Sequence, residues 1–175
     1  MAELSKGEID ALREALDDEY RALATYDQVI ADFGAVRPFI NIREAEARHI
    51  AALSVLFARY GLALPQNPWP GKVTRYASVR QACQAGVAAE IENSKMYEGL
   101  FARVRHADIR AVFQRLEQAS RLRHLPAFRR CLTRRRGPAT PVAARTGPVT
   151  PVRAGAAKRS RHRRTRIQRR ARRGA

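Results

Sequence analysis

Pro38 to Gly61 reads PFINIREAEARHIAALSVLFARYG. Its apolar residues Phe39, Ile42, Leu53, Leu56 and Tyr60 return at helical intervals, as one face of an α-helix requires. Pro38 suits a first helical turn, where its missing amide costs nothing, and Gly61 suits the position just past the end. The stretch predicts a helix over 38–60. Glu46 and His49 fall on the same apolar face, one turn apart. A carboxylate and an imidazole turned toward a core are costly unless they are paired, so the neighbouring helices must supply partners.

The same period extends to both sides. Ser5-Lys6-Gly7-Glu8 fits a capping box and Gly34 closes the run that follows, predicting a helix over 5–33. Leu62 to Thr74, LALPQNPWPGKVT, holds three prolines and a glycine and reads as a long crossing loop. A third helix starts near Ser78, where Gln81 offers a second capping box, and runs to about Arg105. Asp108 is placed to cap a fourth that reaches about Leu132. Pro126 lacks the amide that would bond the Leu122 carbonyl, which predicts a kink just after His124. Residues 1–132 hold no useful strand alternation. The expected fold is all-α, a four-helix bundle.

Each helix turns ionisable residues inward. Glu19 shares a stripe with Leu12, Tyr26 and Ile30, and Glu90 with Cys83, Tyr97 and Phe101. His124 lies with Phe113, Glu117, Phe128 and Cys131. The halves echo each other: Glu19-x6-Tyr26 precedes His49, and Glu90-x6-Tyr97 precedes His124. One Glu from each of two helices, with Glu-x-x-His from each of the other two, is the layout of a di-iron carboxylate site. Carboxylate and imidazole donors suit Fe(II), with Mn(II) as the other ion of that preference. The candidate metal ligands are Glu19, Glu46, His49, Glu90 and His124. The second Glu-x-x-His is broken, because Arg121 stands three residues before His124. Glu117 is two turns away, about 10 Å along the axis, and its expected role is an ion pair with Arg121. A metal-free alternative uses the same residues: three carboxylates, two protonated histidines and Arg121 sum to a neutral buried network. Tyr26 and Tyr97 read as core packing. His106 and His162 have no ligand-like companions, and no Gly-rich phosphate loop or nucleophile motif competes.

These stretches resemble a known family. DDEYRALATY and PFINIREAEARHIAALSVLFARYGLALP are similar to the ferritin-like, rubrerythrin-related superfamily. They are closer still to a ferritin-like domain family of unknown function with the pattern F-x-N-I-x-x-S-E-x-x-H-x-x-A-V-x-x-L-L-x-x-Y-G-L. Phe39, Asn41, Ile42, Glu46, His49, Tyr60, Gly61 and Leu62 match it, and Ala45 replaces Ser. GVAAEIEN (86–93) resembles the third-helix segment, with Asn93 where many rubrerythrin-type relatives carry another Glu. ASRLRHLPAF (119–128) resembles G-S-x-N-H-L-x-A-F with one extra residue. The resemblance covers about residues 8–132. It implies iron-dependent chemistry: oxidation of Fe(II), or reduction of peroxide or O₂. No rubredoxin-type Cys₄ centre is present, so a peroxidase would need an external electron donor.

The rest of the composition divides the chain. Of 34 Lys+Arg and 16 Asp+Glu, fifteen basic residues and no acidic one fall between Thr133 and Ala175. Residues 1–133 are the expected bundle domain, and 134–175 are expected to be a disordered Arg/Pro-rich basic tail, with too few large apolar residues to offset the entropy of ordering. GPATPV (137–142) recurs as GPVTPV (147–152). Lys158, Arg159, Arg161, Arg163, Arg164, Arg166, Arg169, Arg170, Arg172 and Arg173 form a candidate nucleic-acid arm. It would act through phosphate contact, since no Phe, Tyr or Trp is there to stack on bases. A metal-free bundle that binds nucleic acid or a partner through this tail is the alternative function. Cys83 and Cys131 are far apart and belong to no C-x-x-C pair, so neither a zinc ribbon nor a disulfide scaffold is expected and nothing asks for an oxidising compartment. The N-terminus lacks an apolar leader, and Ile50 to Phe57, the longest mainly apolar stretch, is too short to span a membrane. A cytoplasmic protein without a transmembrane segment is expected, and a homo-oligomer is compatible with all of this.

Overall fold

The structure, a computed structural model, describes residues 3–133. The expectations for 134–175, including the basic arm from Lys158 to Arg173 and His162, lie outside the described residues. Among those described there are helices and no strands: α1 (Lys6–Phe33), α2 (Phe39–Arg59), α3 (Val79–Arg103), α4 (Ala107–Ala119), a π-helical segment (Ser120–His124) and α5 (Leu125–Thr133). None is long and apolar enough to cross a membrane.

Local chemistry accounts for the ends. Ser5 Oγ accepts from the Glu8 amide and Glu8 Oε2 accepts from the Ser5 amide at 3.0 Å, so the capping box at α1 is complete. Gly34, with φ 79°, closes α1. At the end of α2, Gly61 (φ 64°) lets the Leu62 amide donate to Phe57 O at 2.9 Å and its own amide to Ala58 O at 3.2 Å. That pair of bonds satisfies carbonyls that α2 would otherwise leave open. Ser78 caps α3 as expected, but Gln81 Oε1 accepts from the Ala77 amide, so only half of the box forms. Asp108 does not cap α4: His106 holds that position, and Asp108, inside the first turn, accepts from Tyr60 Oη and Arg59.

The helix predicted to run unbroken to a kink after His124 instead changes pitch before it. Across Ser120–His124 the turn is π-helical, and the Leu125 amide donates to Ser120 O. A five-residue step accommodates one residue more than an α-turn does. Pro126 follows the segment, and it has no amide to continue an α-ladder.

Two apolar clusters fill the interior. Leu12, Leu16, Leu53, Phe57, Tyr97, Leu100 and Phe113 belong to one; Tyr26, Val29, Phe39, Ile42, Cys83 and Phe128 belong to the other. Along α1 the first cluster precedes the second, along α2 and α3 the order reverses, and along α4–α5 it returns. So α2 and α3 run in the same sense, and residues 62–78 carry the chain back between them, as the prolines predict. Three bonds lay this crossing segment on α1: Tyr20 Oη to Pro65 O, Trp69 Nε1 to Asp17 Oδ1, and Arg75 to Asp32.

One expectation about cysteine is overturned. Cys83 and Cys131 form a disulfide, their Cα atoms 6.3 Å apart, joining α3 to α5 across 48 residues of sequence. Packing of α5 on α3 brings together what chain spacing kept apart. The argument from cysteine usage against an oxidising compartment falls with it.

Candidate metal centre

Between the two apolar clusters, the inner faces of α1, α2, α3 and the π segment carry polar residues. Glu19 from α1, Glu46 and His49 from α2, Glu90 from α3 and His124 from the π segment are each at most 9% exposed. Their atoms converge. Glu19, Glu46 and His49 form one group whose ligand atoms lie within 4.8 Å of one another, and Glu46, Glu90 and His124 form a second. Glu46 belongs to both. His49 Nδ1 lies 2.8 Å from Glu46 Oε2 and hydrogen-bonds with Glu19 Oε2 at 3.1 Å. His124 Nδ1 lies 3.2 Å from Glu46 Oε1 and 3.6 Å from Glu90 Oε1, yet it forms a properly oriented bond with neither. The two imidazoles stack, with centroids 5.5 Å apart. These buried Glu and His groups could hold a metal ion.

Two tyrosines read as packing take part in this layer. Tyr97 Oη on α3 donates to Glu19 Oε1 on α1 at 3.0 Å, and Tyr26 Oη on α1 donates to Glu90 Oε1 on α3 at 3.1 Å. Each tyrosine thus holds the carboxylate of the other helix. The repeated Glu-x6-Tyr spacing carried this signal, but only antiparallel packing of α1 on α3 turns it into exchange. Ser120 is a further residue the sequence reading missed. In a widened turn the residue four before His124 shares its face, so Ser120 is buried toward Glu90 while Arg121 is carried outward.

The place of Arg121 corrects the metal-free alternative. Its Nε bonds Glu117 Oε1 at 2.7 Å on a half-exposed surface, the pairing expected of Glu117, and it does not touch the inner carboxylates. Within the layer the carboxyls are shifted in opposite directions. Burial and the neighbouring Glu46 charge push Glu19 up to about 8. Burial also opposes charge on Glu46, but His124 and His49 outweigh it and hold that carboxyl low. Burial disfavours the imidazolium forms, yet the carboxylates beside them raise His49 to about 10 and His124 to about 9. Burial raises Glu90, with His124 opposing.

His106, read as having no ligand-like companions, joins no candidate metal group among the described residues, but it has a carboxylate partner. Its Nδ1 lies 2.7 Å from Glu8 Oε1, which also accepts the Arg105 and His106 amides, tying the start of α1 to the α3–α4 junction. This is a structural pair outside the buried carboxylate layer. A cavity of about 380 Å³ between α1 and α3 reaches the layer, with Glu19, Glu46 and Glu90 among its lining.

Comparison with known proteins is sparse. No family model and no curated protein matches the sequence. The fold is similar to the crystal structure of hypothetical protein MJ0754 from Methanococcus jannaschii DSM 2661. The TM-score is 0.68 at 23% identity, over 75% of this chain and 83% of that one. Likeness at this identity concerns the fold alone.

Proposed function

We propose that this chain is a ferritin-like four-helix metal protein whose buried carboxylate layer holds iron in a reduced form of the di-iron site. The observation that carries the reading is the sharing of Glu46 between two buried ligand groups. The donors fit: oxygen and imidazole nitrogen suit Fe(II) or Mn(II), and His124 Nδ1 is buried without an oriented partner. A buried polar atom left so is costly, and an ion would engage it. Glu19, Glu46 and His49 would hold one ion, and Glu46, Glu90 and His124 the other. Bound Fe(II) would supply one electron per ion, so a pair of ions matches the two-electron reduction of O₂ or peroxide, and repeated turnover as a peroxidase would need an external donor to return both ions to Fe(II). Tyr97 and Tyr26 orient Glu19 and Glu90, and the flanking apolar clusters close the layer at its two ends. The missing second Glu-x-x-His leaves fewer protein ligands than a complete site has, hence open coordination positions.

Metal analysis and anaerobic Fe(II) titration of the full chain, followed by exposure to air, test this. About two ions per chain and an oxidation-dependent absorbance are expected, both lost in a Glu46→Ala/His49→Ala variant. No uptake by the wild type would overturn the reading.

A second reading rests on the charge of residues 134–175. Fifteen cations without an anion would bind nucleic acid through phosphates, each contact adding about 0.7–0.9 to the salt slope. Deleting 134–175 should abolish DNA retention at moderate salt, and unchanged retention would sink this reading.

A further inference from the structure

The disulfide between Cys83 and Cys131 lies outside the carboxylate layer and has two unlike ends. Cys83, near the start of α3, has no exposed surface and packs in the apolar cluster with Tyr26, Phe39 and Phe128. Cys131, in the last turn of α5, is half-buried and lines a surface cavity of about 130 Å³ with Arg37, Asn41, Ala127 and Arg130. Among the described residues, that lining holds two exposed arginines and no carboxylate. A disulfide opens by attack of a thiolate. An accessible, electropositive approach to one sulfur therefore favours an anionic thiol and fixes which sulfur it meets.

The bond also holds a weak element in place. Nine residues make α5, too few to keep a helix without packing. It is fastened to α3 by the disulfide, by the Arg80 bond to Leu132 O at 2.7 Å, and by the seat of the Phe128 ring against Gly86. Cys83 stands seven residues before Glu90, and Cys131 seven after His124; that is two helical turns, about 10 Å along the axis. We infer that Cys83–Cys131 is a redox-active pair, opened at Cys131 by a small anionic thiol, and that its opening releases α5 and with it the His124 side of the buried layer. The thiolate sulfur bonds Cys131 Sγ, the Sγ–Sγ bond breaks, and its electron pair passes to Cys83, which takes a proton from solvent. A second thiolate then bonds the external sulfur and Cys131 leaves as a thiolate. The pair has gained two electrons, and two thiol molecules have become one external disulfide. No step involves an ion, so this inference stands or falls separately from the metal reading.

The probes are reduced glutathione, whose thiolate form carries net negative charge, and cysteamine, whose thiolate form is neutral overall. Each is added at equal thiolate concentration and low salt to the oxidised, metal-free full-length protein, and the reaction is quenched with N-ethylmaleimide. Mass spectrometry of the digested protein should find the mixed disulfide on Cys131 and not on Cys83, with glutathione reacting about tenfold faster. Arg37→Gln/Arg130→Gln should remove that preference at an unchanged melting temperature. On reduction, hydrogen exchange should quicken in α5 and residues 120–124 and stay as it was in α2. Cys83→Ala/Cys131→Ala should show the quickened pattern without any thiol. Failure of either thiol to react short of denaturant would mean a purely structural bond and overturns the inference. So does attachment at Cys83, equal rates for the two thiols, or exchange on reduction that rises as much in α2 as in α5.

Discussion

The two ligand groups of the buried layer are built on different helices. Glu19, Glu46 and His49 stand on α1 and α2, uninterrupted over 28 and 21 residues. There the α-period alone brings Glu46 and His49 to one face. Glu90 and His124 depend on a chain that changes pitch at Ser120–His124. The widened turn exchanges Arg121 for Ser120 as the inward residue one turn before His124. A single residue of helical excess thus decides whether a cation or a hydroxyl faces the carboxylates. The first group is a product of period, and the second of period plus a local defect.

Removing the residue both groups share should have the largest effect. Glu46→Ala leaves His49 and His124 without their common counter-charge, a loss of about 3–5 kcal/mol for a broken buried pair. Denaturant unfolding of the metal-free protein measures it, and under the proposed function the same variant takes up no iron. Deleting Leu122, 59% exposed within the π segment, tests the comparison more finely. It should restore an α-turn with Ser120 and His124 still on one face. Alone it sets Pro126 in a regular helix at a cost of about 3 kcal/mol; combined with Pro126→Ala, most of that loss should return. An unrecovered loss would show that the widened turn itself is needed.

Smaller effects probe the surroundings. In Gly86→Ala the new Cβ would lie 2.8 Å from the Phe128 ring, which packs against Tyr26 and Phe39. The expected cost is about 1–3 kcal/mol, with hydrogen exchange accelerating in α5 more than in α2. The smallest effect contrasts two buried carboxylates of α1. Glu19 is raised, whereas at Glu8 burial is outweighed by His106, the Arg105 amide and Ser5, which hold it well below its ordinary 4.5. A carboxyl lowered by folding stabilises above its unfolded value, and that contribution fades as pH falls beneath it. Glu8→Gln should therefore cost about 1 kcal/mol at pH 7. The gap in melting temperature from the wild type should narrow steadily below pH 4.5. A gap constant with pH would refute the assignment.

Much of this was legible from residue spacing. The capping box at Ser5 and Glu8, the stop at Gly61 and the prolines of 62–78 act within a few residues of themselves, so their reading needs no partner. The inward positions of Glu19, Glu46, His49, Glu90 and His124 follow from helical period for the same reason. Asp108 was misread because a capping residue is recognised by its neighbours, yet this one is claimed by Arg59, the last residue of α2, and by Tyr60 just after it. His106 was passed over because Glu8, its partner, lies 98 residues away.

The sequence by itself determined the helices, their inner faces and the chemical types turned inward, since these depend on backbone geometry repeated every few residues. Tertiary structure alone decided the exchange of Tyr26 and Tyr97 between α1 and α3, the Cys83–Cys131 bond, the outward turn of Arg121 and the cavity that reaches the layer. Each of these is a distance between elements or a choice of helical pitch. Both are set by how the side chains of separate helices pack, which no single stretch of chain encodes.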